Sequence, residues 1–310
     1  MLKKSFYSHG KLLLTSEYLV LDGIKALAVP TKKGQWLTIH ENDSENITWK
    51  SFDENENCWF ETSFEIKDQN IQVSQENNVL TSAKVTETLI QILSSARELN
   101  SNFLSKQKGY TVETKLEFHR EWGLGSSSTL INNIAQWAEV NAFTLLQNSF
   151  GGSGYDIACA QYDTAILYKR SGDLPIINTT EFNPTFKNEL FFVYLNQKQN
   201  SKESIKHYQS LSLKDFDKAE ITISEITKSI LNCTQIEEFE KLITAHEEVI
   251  SKIIKTPTVK SRLFSDYPRS IKSLGGWGGD FILVTGTSSD MEYFKNKGYH
   301  TIISYTDMVL

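Results

Sequence analysis

The sequence predicts a two-domain protein that mixes strands and helices, an α/β (α+β) chain, on three observations. Its 310 residues exceed the roughly 100–200 that one domain usually takes. Strand-like runs fill the first eighty residues, and helical periodicity then alternates with further strands. Between Gly172 and Lys187 the periodicity weakens around Pro175 and Pro184, which divides the chain into 1–187 and 188–310.

The apolar and β-branched run from Leu12 to Leu21 reads as a strand, and Ala26 to Pro30 and Trp36 to His40 follow after turn residues. Asn42 to Asn57 is crowded with Asn, Asp, Glu and Ser, which predicts exposed turns between β segments. Val85, Leu89, Ile92, Leu93 and Ala96 recur at three- and four-residue spacing and predict a helix from about Thr81 to Leu99. Tyr110 to Phe118 alternates as a strand does. After a glycine-serine turn comes a helix with Ile131, Ile134 and Ala138 on one face and Leu130 and Trp137 on the next.

Asn148 to Gly154 is a glycine loop that leads into a short helix from Tyr155 and a strand near Ala165 to Tyr168. Past the boundary, Leu190 to Leu195 is a very apolar strand, followed by two helices. The second is marked by Phe239, Leu242, Ile243, His246, Ile250 and Ile253. A glycine turn at 275–279 precedes the strand Phe281 to Thr285, and a last helix and strand end the sequence.

A formal charge of −6 argues against a broad nucleic-acid or anionic-membrane surface, since both need a basic field. Cys58, Cys159 and Cys233 are odd in number and far apart, without a CxxC pair, so a reducing cytoplasm is the expected location. The six histidines show no HExxH spacing, which argues against a structural zinc site. Neither a signal-peptide core nor an apolar run of membrane-spanning length is seen.

The strongest chemical signal is a strand, then Gly123-Leu124-Gly125-Ser126-Ser127-Ser128, then an amphipathic helix. Helix N-termini expose unpaired N–H groups at the positive end of the macrodipole and attract phosphate. Gly123 and Gly125 let the backbone approach closely, and the serine hydroxyls can cap the helix, bond phosphate oxygens or ligate Mg²⁺. A plain capped helix after a tight turn accounts for the same residues.

Ser153-Gly154-Tyr155-Asp156 places an acid just past a glycine loop. A kinase for a small alcohol or phosphate needs such a carboxylate to orient the nucleophile, though an Asp in a first helical turn is often only a favourable charge there. Lys11, within Gly10-Lys11-Leu12-Leu13-Leu14-Thr15-Ser16-Glu17-Tyr18, stands at the mouth of an apolar strand where a cation could neutralise phosphoryl charge. It is equally a solvated strand-end lysine, and the surrounding residues are no Walker motif. Alone, the turn at 275–279 reads as a tight loop, His246 as a satisfied core histidine and Cys159 as buried filler.

Taken in order, these pieces resemble the GHMP kinases, named for galactokinase, homoserine, mevalonate and phosphomevalonate kinases. Gly10-Lys11, Glu17-Tyr18 and Gly23 are similar to the family's first motif, and Trp122 to Ser128 to its second, ATP-binding motif. Ser153 to Asp156 matches the segment holding the catalytic aspartate, and Gly275-Gly276-Trp277-Gly278-Gly279 stands where the third motif belongs. The likeness spans nearly the whole chain, and Gly-Tyr-Asp-Ile-Ala suggests a bacterial subgroup near the mevalonate-pathway members.

The resemblance implies a two-domain GHMP kinase fold with the active site in the cleft between domains, and MgATP as phosphoryl donor. It implies that Gly123, Gly125 and Ser126 to Ser128 wrap the ATP phosphates, that Ser127 ligates Mg²⁺, and that Asp156 is the base or orienting carboxylate. Lys11 would lower the charge on the transferring group, Glu17 would lie close to the acceptor, and Gly278 and Gly279 would support the phosphate loop. The implied reaction is phosphorylation of mevalonate or phosphomevalonate in isoprenoid-precursor synthesis. The alternatives are a diphosphomevalonate decarboxylase, for the polar turn Asn196 to Glu203, or a catalytically lapsed nucleotide-binding protein. The expected partners are a small-molecule substrate and at most a second copy of the chain.

Three departures mark this sequence. His119-Arg120-Glu121-Trp122 replace the usual upstream proline, so that Arg120 is a candidate cation for the substrate. Thr144-Leu145-Leu146-Gln147 offer no glutamate for the metal, and Trp277 interrupts the third motif.

Overall fold

Two β-sheets with helices packed on them make up the computed structural model, which describes residues 3–67, 70–74, 82–105, 108–172, 174–199, 201–211 and 216–310. The described residues fall into two compact units. The first takes residues up to Gly10, Lys33–Arg120 and Gly125–Gln161; the second takes Lys11–Lys32, Glu121–Leu124 and Tyr162–Leu310. The division is interleaved along the chain, whereas the expected boundary at 187–188 cuts it once. Strands β1 (Lys3–Leu13) and β2 (Ala26–Asn42) account for part of that interleaving, because each contributes residues to both units.

In the first unit β3 (Ile47–Phe52), β4 (Cys58–Lys67), β5 (Asn70–Val73) and β6 (Gly109–Leu116) join the later part of β2 in the order β5-β4-β3-β6-β2. Neighbours along this order are antiparallel except β3 and β6, which run parallel with Ile47 opposite Tyr110. Alternation puts Leu37, Ile39, Ile47, Trp49, Phe60 and Phe64 in one core. Helix α1 (Ala83–Leu99) covers them with Leu89, Ile92, Leu93 and Ala96. Helices α2 (Ser126–Ala138), α3 (Ala142–Ser149) and α4 (Tyr155–Gln161) add Ile131, Ile134, Leu145, Leu146 and Ile157. Each large apolar side chain buried in this way contributes roughly 1.5–3 kcal/mol.

The periodicity that predicts α1 is what the core uses; of its expected start, Thr81 lies outside the described residues. Two details differ from the sequence reading. Asn42 to Asn57 holds a real strand, because Ile47 and Trp49 bury themselves despite their polar neighbours. Helix α3 was not anticipated; the Asn141 side chain caps it by accepting from the N–H groups of Phe143 and Thr144 at 2.9 and 3.0 Å.

In the second unit the early part of β2 pairs with β7 (Ile166–Lys169), and β7 with β8 (Ile176–Thr179). A separate antiparallel sheet runs β10-β11-β9-β12, formed by β9 (Leu190–Tyr194), β10 (Ile271–Ser273), β11 (Phe281–Thr285) and β12 (Ile302–Ser304). All residues of β9 and β11 are buried, as continuous apolar runs should be. Helices α5 (Ser201–Ser210), α6 (Phe216–Asn232) and α7 (Ile236–Ile254) follow β9, one more than expected. Helix α7 buries Phe239, Ile243, His246, Ile250 and Ile254, while Leu242 and Ile253 of the expected face are only half-buried. The short helices α8 (Val259–Leu263), α9 (Glu292–Asn296) and α10 (Tyr305–Met308) complete the unit.

The strand expected over Leu12 to Leu21 stops at Leu13. Ser16 and Tyr18 take φ of 65° and 66°, which no pleated ladder accepts, and Leu19–Asp22 forms a 3-10 turn. Leu19 and Val20 are apolar because they are buried, not because they are extended. Among the described residues no helix is long and apolar enough to cross a membrane.

Candidate functional site

The turn 123–128 passes from one unit to the other: Gly123 and Leu124 group with the second, Gly125 to Ser128 with the first. Gly123 and Gly125 take φ of +67° and +91°, a region where a side chain is strained. Gly125 is the residue before α2, and no side chain caps the helix there. The serines therefore do not act as the cap that an ordinary turn would use. Among the described residues no acceptor meets the N–H groups of Ser126, Ser127 and Ser128, so three donors and the positive helix end stand together.

The three serines are not equivalent. Ser127 is exposed, whereas Ser128 is buried and donates its hydroxyl to Asp156 Oδ2 in a short hydrogen bond. Asp156 sits in the first turn of α4, where Oδ1 also accepts from the Ile157 N–H at 3.1 Å. Gly151, Gly152 and Gly154 lead into it with φ of 69°, 116° and 85°. The sequence thus delivers the aspartate to the third serine of the turn.

Helix α2 is located by a buried polar network that the apolar spacing did not reveal. Ser8 Oγ donates to Asn133 Oδ1 at 2.7 Å and accepts from Asn132 Nδ2 at 2.8 Å. Thr129 Oγ1 bonds Gln35 Oε1 at 2.6 Å, and Gln161 at the end of α4 donates to Asn132 Oδ1 at 2.9 Å. Satisfied networks of this kind specify one arrangement, because any slip leaves buried groups unpaired.

Arg120 lies in the first unit with its guanidinium 3.5 Å from the Trp59 ring centroid, a cation–π contact. The structure places this cation on an aromatic face of its own unit.

In the second unit Lys11 meets the beginning of the turn. Its Nζ donates to the Gly123 carbonyl at 2.6 Å, and its N–H donates to the Leu124 carbonyl at 3.0 Å. Lys11, Trp122, Gly123, Gly275, Asp280 and Phe281 line a cavity of about 10 Å³, close to the space one water needs. Trp122 packs edge-on to Phe281, and the Glu121 carbonyl accepts from the Tyr194 hydroxyl at 3.0 Å.

Gly276, Gly278 and Gly279 surround another chain segment. A Cβ on Gly278 would come within 2.7 Å of Gln199 Cδ and closer still to its Oε1, and one on Gly279 would strike the Gln197 carbonyl. Gln199 Nε2 donates to Ser204 Oγ at 2.8 Å. These glycines make room for Gln197 to Gln199, part of the polar turn noted in the sequence; Asn200 of that turn lies outside the described residues.

Glu17, expected near the acceptor, is sealed in the second unit with no exposed surface. Oε1 pairs closely with Lys272 Nζ, and Oε2 lies 3.4 Å from His246 Nε2. His246 Nε2 accepts the Ser16 N–H at 2.9 Å, which leaves its proton on Nδ1. Lys272 lies 3.6 Å from Glu247, whose other oxygen accepts from Ser273 Oγ at 2.6 Å. Burial pushes the Glu17 carboxyl up while Lys272 pulls it back, and burial pushes Glu247 up to about 7. Burial, with the Lys272 charge, holds His246 well below the usual imidazole range.

Lys272 and Asp280 went unread in the sequence. A single glutamate inside the largely apolar Leu12 to Leu21 is a signal for a buried charge that needs a partner. Asp280 ends a glycine turn much as Asp156 follows Gly154, and that likeness was the available clue.

No protein-family model matches this chain, and no curated protein matches it in sequence. Solved structures do match in fold. The mevalonate kinase of Methanococcus jannaschii aligns with a TM-score of 0.69 at 12% identity, covering 97% of each chain. The phosphomevalonate kinase of Streptococcus pneumoniae, in complex with phosphomevalonate and AMPPNP, gives 0.68 at 14% identity, covering 97% of this chain and 99% of that one. The galactokinase of Lactococcus lactis, complexed with galactose, gives 0.67 at 11% identity, covering 99% and 93%. Over nearly its full length the chain has the mixed α/β, two-sheet fold of GHMP kinase structures.

Proposed function

We propose that the chain is an ATP-dependent small-molecule kinase whose acceptor is mevalonate or phosphomevalonate. One observation carries the reading: within the first unit Ser128 of the turn bonds Asp156, and the N–H groups of Ser126, Ser127 and Ser128 meet no acceptor among the described residues; within the second unit the Gly123 carbonyl accepts from Lys11. A phosphate-binding turn, a cation and a carboxylate are the parts phosphoryl transfer needs, since its catalysis is mostly positioning and charge stabilisation. The fold shared with structures of mevalonate, phosphomevalonate and galactose kinases supports the same class.

In this reading the N–H groups of Ser126 to Ser128 bind phosphate oxygens of ATP, and Gly123 and Gly125 shape the backbone to reach them. Lys11 offsets the charge on the transferring phosphoryl group. Asp156 orients the acceptor oxygen and takes its proton as that oxygen bonds the γ-phosphorus and the bond from the γ-phosphorus to the bridging oxygen breaks, releasing ADP. Ser128 holds the carboxylate for this task through its hydroxyl. Gly278 and Gly279 support the turn indirectly, by seating Gln197 to Gln199 beside Asp280.

The donor set suits Mg²⁺, a hard cation that takes oxygen ligands. The exposed Ser127 hydroxyl would hold it, and the ion would supply charge neutralisation on the phosphates. The described residues hold no cluster of three acidic, histidine or cysteine side chains for a metal, so ATP itself would provide most of its ligands.

A panel decides the reaction: purified protein with MgATP and, in turn, mevalonate, phosphomevalonate, diphosphomevalonate, homoserine and galactose, following ADP and CO₂. ADP formation with mevalonate or phosphomevalonate is the expected result. CO₂ release would establish a decarboxylase, and ATP binding without turnover on any acceptor would establish a lapsed homologue.

A further inference from the structure

Asp280 is a buried carboxylate, 9% exposed, between the glycine turn and β11. Its backbone is held at φ 57°, a left-handed conformation that strains most L-residues and that Asp and Asn tolerate better than most. Two bonds keep it there: its N–H donates to the Gln197 carbonyl at 2.6 Å, and Oδ1 accepts from the Gln199 N–H at 3.1 Å. The carboxylate faces Gly123 so closely that a Cβ there would lie 2.5 Å from both of its oxygens. Gly123 is the residue whose carbonyl receives the Lys11 ammonium, and Lys11 and Asp280 line the same small cavity. Burial raises the Asp280 carboxyl above its ordinary value, and the Lys11 charge is the largest influence drawing it back.

A negative charge against the first residue of an anion-binding turn opposes phosphate unless it does something else there. The nearby cation supplies the reason. We propose that Asp280 is a positioning residue for phosphoryl transfer, fixing Lys11 on the Gly123 carbonyl and tempering the positive charge that incoming phosphates meet. The inference rests on the kinase reading. A ground state that binds phosphate less tightly than Lys11 alone would allow leaves more of the lysine's attraction for the transition state, where it raises turnover.

The test uses the full chain as wild type, Asp280→Asn, Lys11→Met and the double variant. Asn keeps the left-handed backbone and removes only the charge; Asp280→Ser serves as a second uncharged variant. With the accepted substrate, Asp280→Asn lowers kcat roughly tenfold to a hundredfold, the scale of a small misplacement, without raising KM for MgATP. In the Lys11→Met background the same substitution has little further effect on kcat, because the group it acts through is gone. An equal fold-loss in both backgrounds, or an unchanged kcat, overturns the proposal.

Urea unfolding of the same proteins is read alongside. Asp280 and Lys11 are expected to be non-additive in that cycle, and additive midpoints overturn the proposal. This arm needs no turnover, so it still decides the pairing if wild type proves inert on every acceptor and the kinase reading itself fails.

Discussion

Gly123 and Gly125 take positive φ, whereas Gly276, Gly278 and Gly279 take ordinary backbone angles. The first pair is glycine for conformation, and Gly123 for room as well, because Asp280 fills the space of its Cβ; the turn they shape ends in three N–H groups that no acceptor meets among the described residues. The second set is glycine for room, because Gln197 to Gln199 fill the space side chains would need. Two turns that read alike in sequence therefore differ: the first is open at its serine end, and the second is filled along its length. A glycine count cannot separate them, since it shows where side chains are missing and not what replaces them.

Four experiments press on this contrast. If chemistry belongs to the turn at 123–128, Asp156→Asn reduces kcat by roughly 10²–10⁴-fold, the usual range for an acid–base group. ATP affinity by calorimetry changes little, and near-normal turnover would end the assignment. If the other turn only seats a neighbouring segment, Gly279→Ala destabilises the fold by about 1–3 kcal/mol, as overpacking does. Its Cβ meets the fixed Gln197 carbonyl, while Gly278→Ala meets the movable end of Gln199 and is relieved by Gln199→Ala. Urea midpoints would show this; a Gly279→Ala defect that Gln199→Ala also relieves would break the distinction.

The third experiment concerns the buried cluster below that second turn. A Glu247 carboxyl raised to about 7 keeps its proton in the folded state where the unfolded state, with an ordinary value near 4.5, has lost it. Wild-type stability from this group therefore falls as pH rises from about 4.5 through 7. His246, held low, contributes in the opposite sense: its stability is lost as pH falls below the ordinary imidazole value of 6.5. Glu247→Gln removes only the first effect, so its stability relative to wild type should be more favourable at pH 8 than at pH 5. Denaturant midpoints at the two pH values check it, and a constant difference would sink it. The smallest effect is expected at Ser127→Ala, a severalfold rise in the Mg²⁺ needed for half-maximal rate, on the scale of one lost oxygen ligand. An unchanged Mg²⁺ titration would remove Ser127 as a ligand.

Much of the fold was legible because local patterns decided it. Phe281 to Thr285 and Leu190 to Tyr194 are apolar throughout and buried throughout, and the spacing of Leu89, Ile92, Leu93 and Ala96 is the spacing of a packed face. Failures came where packing between distant segments chose the conformation. Leu14 to Leu21 looked extended, yet positive φ at Ser16 and Tyr18 folds it into turns whose residues are buried all the same. Of the site, the turn, Lys11 and Asp156 could be named from motifs. Asp280 and Lys272 could not, because each gains its meaning from a partner at least seventy positions away or from a cavity wall.

The side chains of Ser8, Gln35, Asn132, Asn133 and Gln161 have a consequence for engineering. Among the described residues none of these side chains hydrogen-bonds the serines at the start of α2, yet they hold that helix in place. Transplanting Gly123 to Ser128 onto another scaffold would move the letters and leave their coordinates behind. A working graft would have to carry these five side chains, drawn from four separated stretches of chain, together with the turn.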